Sequence, residues 1–91
     1  MVKWIWIYWF VWRWKEVKLW DVSTHSLVKV ENIEAQGELK RRFSDLGIIY
    51  GTNIEVLFRS PFGDPTAYLI CGAFIAMREE ESGKINVLII N

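Results

Sequence analysis

The sequence contains one cysteine and one histidine, and this scarcity excludes several kinds of site. A single cysteine cannot form an internal disulfide, and Cys71 and His25 alone do not make a cluster with metal-ligand spacing. The short motifs of serine hydrolases, P-loop nucleotide-binding proteins and zinc proteases are also missing. We therefore predict a protein that is not an enzyme, and the low cysteine content is typical of a reducing cytoplasm.

The N-terminal apolar run is too short for a simple membrane span, and large basic clusters are missing. The uncharged run from Trp4 to Trp12 has nine residues, whereas a spanning helix needs about 20. Arg13, Trp14 and Lys15 follow it in place of the small residues of a signal-peptide cleavage site. The only basic cluster is 40–42, and residues 21–91 are mildly acidic, so nucleic acid is not an expected partner.

Tryptophan, by contrast, is concentrated at the N-terminus, where residues 4–14 hold five of the six. The even positions form an aromatic row with the period of a strand. We predict that residues 1–18 are a Trp-rich N-terminal extension, either disordered or an added strand. Three hypotheses remain open for it: a segment foreign to the domain, arising from a start codon assigned upstream of Val17 or Leu19; an edge strand that supports self-association; or a membrane-surface or partner-docking segment.

Residues 19–91 show the alternation of short strands around one helix, and a chain of 91 residues favours one domain. The first strand is predicted to bury Val28 and Val30, with Ile33 following after a bulge. Leu39, Phe43 and Leu46 form the stripe of a short helix over about residues 37–46, and Gly47 ends it.

Four strands are predicted after the helix. In the strand after the helix, the alternation predicts that Ile54, Val56 and Phe58 face inward. The segment 60–65 is predicted to be a loop, and two strands then join tightly at Gly72, with Cys71 as a small core residue before it. Residues 85–91 are predicted to form the last strand. Because these connections are too short for crossovers, we predict a mainly β fold, a small and partly open antiparallel barrel.

The order of motifs over roughly residues 19–90 resembles the FeoA family of bacterial ferrous iron uptake. An Arg-bearing helix ends in D-L-G, and a G-T-x-I-x-V strand, a P-x-G-D-P loop, an A-M-R segment and a final I-x-V strand follow. The sequence departs from the family pattern at two places. Tyr50 precedes Gly51 where the family usually has a proline, and residues 22–25 stand where the family commonly has a P-x-G turn. The family has no counterpart for residues 4–14.

The resemblance implies an SH3-like barrel that acts in the cytoplasm, at the inner face of the membrane, as an accessory to the FeoB transporter of ferrous iron. A similar barrel forms the C-terminal domain of iron-dependent repressors. The alternative implied function is therefore a transition-metal-binding or metal-sensing module, with ferrous iron as the candidate metal and its ligands unknown.

Four residues are predicted to bind the partner. Lys40 and Arg41 should point away from the core, whereas Arg42, beside the apolar stripe, could equally tie the helix to the barrel. Phe62 is expected at the exposed tip of the loop, with a packing role as the alternative. Carboxylates at 79–81 could hold a hard cation, but consecutive residues do not converge on one point, and a solvated role is favoured.

Overall fold

The structure, a computed structural model, describes residues 16–90. Its strands are β1 (Val17–Lys18), β2 (Leu27–Ile33), β3 (Asn53–Arg59), β4 (Thr66–Ile70), β5 (Ala73–Met77) and β6 (Ile85–Ile89). The helices are α1 (Gly37–Asp45) and the one-turn α2 (Glu79–Ser82), and a 3-10 turn, Leu19–Asp21, follows β1. Most of the predicted N-terminal extension, residues 1–18, lies outside this range, and its nature stays a prediction.

The six strands form one antiparallel sheet in the order β1-β6-β2-β3-β4-β5. Each neighbouring pair is antiparallel, as the short connections predicted. Within the described range β1 and β5 are the two edge strands, so the sheet is not closed by pairing between them. The 3-10 turn after β1 contacts α2, which directly follows β5. The prediction of a mainly β, partly open architecture is confirmed.

The core lies on the inner face of the sheet, where alternate residues of the central strands are buried. Val28 and Val30 of β2 are fully buried, as predicted. Ile54 and Val56, the first two positions of β3 predicted to face inward, are fully buried as well. The predicted bulge in β2 is also present, because the register with β6 shifts between Val30 and Asn32. The wider cluster is Leu19, Val22, Ala35, Phe43, Ile48, Tyr68, Ile70, Met77, Ile85 and Val87.

The strand β1 is joined to the sheet by side chains as well as by its pairing with β6. Lys18 Nζ lies 3.4 Å from the Glu34 carboxylate, and Asn86 Nδ2 donates to Glu34 Oε1 over 2.9 Å. The Asn86 hydrogen bond, followed by the Lys18 charge, lowers the pKa of Glu34 below its usual range. Since Val17 also packs against the core, β1 is part of the compact domain.

The inward position predicted for Phe58 is wrong. Val56 pairs with Tyr68, but Phe58 pairs with Ala67, so Leu57 is an extra residue in β3. Such a bulge reverses the alternation beyond it. Phe58 therefore faces solvent, with 63% of its surface exposed.

The same bulge turns Arg59, which the alternation placed outward, to the side of the buried Thr66. Its Nε donates to Thr66 Oγ1 over 3.0 Å, and its Nη2 donates to the Trp20 carbonyl over 2.6 Å. The guanidinium also lies over the Trp20 ring, 4.4 Å from the centroid, in a cation–π contact. Arg59 therefore fixes the N-terminal 3-10 turn to the end of β3.

The predicted tight hairpin between β4 and β5 is present, but the core position predicted for Cys71 is wrong. Cys71 and Gly72 have φ angles of 50° and 81° and form the two central residues of the turn. Positive φ at both positions is typical of the two-residue turns that match strand twist. Cys71 is therefore exposed at the turn.

The helix α1 ends as predicted, at a glycine in the left-handed region. Gly47 has φ 85°. Its N–H donates to Ser44 O over 3.0 Å, and the next N–H, of Ile48, donates to Phe43 O over 2.8 Å. This pair of bonds is a Schellman motif, which satisfies two of the last helical carbonyls. It directs the chain from α1 into the core at Ile48, which is fully buried.

Tyr68 is the largest fully buried side chain, and its hydroxyl has no hydrogen-bond partner among the described residues. The two nearby hydroxyls are engaged elsewhere: Ser82 Oγ donates to Arg78 O, and Thr66 Oγ1 accepts from Arg59. Burial raises the pKa of Tyr68 above its usual range, because the phenolate would be poorly solvated.

We expect the free energy of unfolding of Tyr68→Phe to equal that of the parent or to exceed it by about 1 kcal/mol, because the substitution removes a buried unpaired hydroxyl. The raised pKa means that folding disfavours the phenolate, so the parent loses stability as pH rises above about 10. Denaturant titrations at pH 7 and above pH 10 measure both effects, and the advantage of the variant should grow with pH. Tyr50→Phe, at an exposed tyrosine, is the control. A loss above about 1 kcal/mol for Tyr68→Phe would contradict this account.

Candidate partner-binding surface

The exposed face of α1 carries two of the predicted binding residues. Phe43 is buried, and Leu39 and Leu46 pack partly against the core, which fixes the rotation of the helix. Lys40 and Arg41 are consequently exposed. Among the described residues, neither takes part in an ion pair, so their charges are available to an acidic surface.

Arg42 ties α1 to the second helix. Its Nη1 lies 2.6 Å from Glu81 Oε2, and the Glu81 side chain is only 14% exposed. Glu81 also accepts a hydrogen bond from the Arg78 N–H over 3.2 Å, at the start of α2. Of the two roles predicted for Arg42, the contact therefore supports the structural one, and 58% of the Arg42 side chain still faces solvent.

The acidic residues 79–81 form α2 and do not converge on one point. Glu81 is engaged by Arg42, the Glu79 backbone N–H donates to Asp64 Oδ1 over 3.2 Å, and Glu80 is exposed. Within residues 16–90, no group of three or more His, Cys, Asp or Glu side chains is placed to hold a metal ion. Three carboxylates in the first turn do suit the positive end of a helix.

Phe62 lies in the loop between β3 and β4 and is 94% exposed. The loop is a compact turn: Gly63 N–H donates to Ser60 O over 2.8 Å, and Ser60 N–H donates to Pro65 O over 2.9 Å. Gly63 adopts φ 91°, which favours glycine. The ring of Phe62 is thus held out on a short, internally bonded loop, as the sequence predicted for its tip.

An open cleft of about 430 Å³ lies between the two helices, the end of β5 and this loop. It is lined by Arg42, Pro65, Ala76, Arg78, Glu80 and Glu81. Of the four predicted residues, the structure brings Arg42 to this cleft, and Pro65 belongs to the loop that carries Phe62. Lys40, Arg41 and Phe62 do not line it. Sequence reasoning missed the cleft because its walls come from residues far apart in the chain. The one signal available was Arg78, which belongs to the A-M-R motif and lines the cleft.

No helix within residues 16–90 is both long enough and apolar enough to cross a membrane.

The fold of this chain is similar to that of known SH3 domain proteins. A FeoA from Stenotrophomonas maltophilia complexed with zinc, described as a prokaryotic SH3 domain protein, superposes with a TM-score of 0.69 at 23% identity. That match covers 78% of this chain and 88% of the other. The fold is therefore an SH3-like antiparallel β domain with one short helix at its side.

Within this class, the chain belongs to the FeoA family, because the FeoA domain model matches residues 17–88. A FeoA-like protein from Clostridium acetobutylicum is similar, with a TM-score of 0.78, 32% identity, and coverage of 85% of this chain and 90% of the other. A fusion of Fe(2+) transport protein A and the Fe(2+) transporter FeoB from Porphyromonas gingivalis is 27% identical over 75 residues. The match takes in 82% of this chain but only 9% of the fusion protein.

We expect Arg42→Gln to lower the free energy of unfolding by about 1 kcal/mol, since it leaves the largely buried Glu81 carboxylate without its partner. Arg41→Gln, one residue earlier on the exposed face, is the matched control and should change stability by less than about 0.5 kcal/mol. Adding Glu81→Gln completes a double-mutant cycle measured by urea unfolding. A coupling energy indistinguishable from zero would show that the ion pair does not stabilise the contact between α1 and α2.

Proposed function

We propose that this protein is a non-catalytic accessory module of bacterial ferrous iron uptake that docks on the cytoplasmic domain of a FeoB-type transporter. The observation that carries the proposal is the match to a protein in which the FeoA part and the transporter are one chain. Two domains fused in one protein commonly act together when they are separate chains. The proposed place of action is the cytoplasm, at the inner face of the membrane.

The proposed docking surface is α1 with the Phe62 loop. Lys40 and Arg41 are exposed cations without ion-pair partners among the described residues, so an acidic surface could bind them without breaking existing contacts. Charges at the rim of an interface mainly speed association and set its salt dependence. The role of these two residues is to steer the transporter domain onto the module.

Phe62 supplies the apolar part of this surface. A phenylalanine that is 94% exposed contributes little to the fold, because it buries almost no surface. An aromatic residue on a short, internally bonded loop loses little conformational freedom on binding, and aromatic anchors often dominate interface energies. We assign it the role of an anchor that enters an apolar pocket of the partner.

Titration against the isolated cytoplasmic domain of the transporter tests the proposal. Charge reversal at Lys40 and Arg41 together should raise the dissociation constant by about tenfold or more at low salt, and the effect should shrink as salt increases. Phe62→Ala should weaken binding by a similar factor with little dependence on salt, because it removes buried apolar area.

Lys29→Glu, at an exposed lysine of β2, is the control for the charge reversal and should leave binding nearly unchanged. Absence of binding by the parent chain, with and without nucleotide, would sink the docking proposal. Binding that persists in both variants would leave the transporter as partner but move the interface elsewhere on the module.

The second candidate function is direct binding or sensing of a transition metal, with ferrous iron as the metal. The structure of the Stenotrophomonas maltophilia FeoA complexed with zinc is the observation that supports this second function. The described residues give it less support, since Glu81 is committed to Arg42 and no cluster of three ligands forms among them.

Anaerobic calorimetry with ferrous iron decides between the two functions. On the docking proposal, the heats should equal those of dilution, and Glu79→Gln with Glu80→Gln should change nothing. A saturable site that these two substitutions abolish would establish the metal-binding function at the acidic segment.

A further inference from the structure

The outer face of β3, β4 and β5 is apolar. The outer face of an antiparallel sheet is usually polar where it meets water. Here the register forms two cross-strand rows that share this face: Phe58, Ala67 and Ala76 in one row, and Glu55, Leu69 and Phe74 in the next. Phe58 is 63% exposed and Phe74 is 77% exposed, and Glu55 is the only charge in the two rows. This surface has the composition of an interface.

The strand β5 beside this face carries none of the sequence features that protect edge strands. Edge strands are commonly blunted by lysine, proline or a bulge, which stop another strand from pairing with their free backbone groups. The sequence of β5, AFIAM, contains neither charge nor proline, and its register with β4 runs without a bulge. In the described part of the chain, β5 pairs with β4 alone. The backbone N–H and C=O groups on its other side therefore have no strand partner among the described residues.

We propose that β5 of one copy pairs antiparallel with β5 of a second copy, about a two-fold axis at Ile75. This is distinct from association through the Trp-rich N-terminus, because every residue it uses lies in the described fold. An isologous contact of this kind closes on itself as a dimer.

The axis is placed at Ile75 because only this register pairs all five residues of β5 with all five of the other copy. Phe74 of each copy then lies opposite Ala76 of the other, so a large side chain meets a small one on the outer face. At the next position beyond the strand, Arg78 lies opposite Gly72, which has no side chain to obstruct it. The two apolar rows join across the seam into one continuous surface.

Charge does not oppose this contact. The formal net charge of the chain is zero at pH 7, so two copies do not repel each other as wholes. Shifting the axis to Ala76 would bring Arg78 opposite Phe74, and shifting it to Phe74 would pair turn residues with the end of the strand. The composition of β5 therefore favours a second copy in the stated register.

The test is sedimentation equilibrium of the full chain over a concentration series. The parent should dimerise, and Phe74→Lys and Ala76→Glu, each alone, should raise the dimer dissociation constant by about tenfold or more, because each sets charged side chains against apolar neighbours across the seam, as charged residues do on natural edge strands. Mixing the two variants should restore a heterodimer, since the introduced lysine of one copy then faces the introduced glutamate of the other. Only the antiparallel register about Ile75 predicts this recovery.

Tyr50→Lys, at an exposed aromatic residue outside β5, is the matched control and should leave the dimer unchanged. Hydrogen exchange should show slower exchange across Ala73–Met77 in the parent than in Phe74→Lys. A parent chain that stays monomeric at every concentration would overturn the proposal. So would association that survives Phe74→Lys and is lost in Trp6→Lys, which would assign the contact to the N-terminal segment.

Discussion

Leu57 has no direct partner in β4, so the alternation of β3 reverses after Val56. Two features of the molecule depend on this one extra residue. Arg59 turns to the side of Thr66, where it binds the Trp20 carbonyl and stacks on the Trp20 ring, and the N-terminal turn is thereby fixed to the sheet. Phe58 turns outward and completes the apolar row with Ala67 and Ala76. Without the bulge, Phe58 would face the core and Arg59 would leave the side of Thr66, so the contact with the 3-10 turn and the apolar outer row would both be lost.

The elements of the fold were predictable wherever a single local pattern decides the structure. Val28 and Val30 alternate on one buried face, and the stripe led by Phe43 ends at Gly47, whose left-handed conformation is a property of glycine itself. The failures fall where a contact distant in sequence decides. Nothing local marks Leu57 as an extra residue, because the bulge exists only relative to β4. Cys71 is predicted to be a small core residue because it directly precedes the glycine of the connection, yet the pairing of β4 with β5 makes it the first central residue of the turn, in a left-handed conformation.

The candidate surface divides in the same way. Exposure of Lys40 and Arg41 follows from the helical period alone, and that of Phe62 follows from its loop, so these could be predicted from the sequence. The contact of Arg42 with Glu81 joins residues 39 apart, and the cleft beside it is assembled from α1, β5, α2 and the Phe62 loop. Such a surface is a property of the packed molecule. Motif spacing identifies the residues of this surface but not how they come together in the fold. The ion pair of Glu81 with Arg42 is what weakens the acidic segment as a metal site.

Ala76 lies at the β5 seam, opposite Phe74 of a second copy, and it also lines the cleft beside Arg42, which adjoins the proposed docking surface through Pro65 of the Phe62 loop. A transporter segment that fills the cleft next to Ala76 would occupy the space required by that phenylalanine. Docking and self-association are then coupled equilibria rather than independent ones. Linkage requires the coupling to be reciprocal: if the transporter domain favours the single copy, pairing of β5 weakens its binding by the same factor. The dimer would then be a reservoir that holds the cleft closed, and the local concentration of transporter would set the fraction of the module that is free to act.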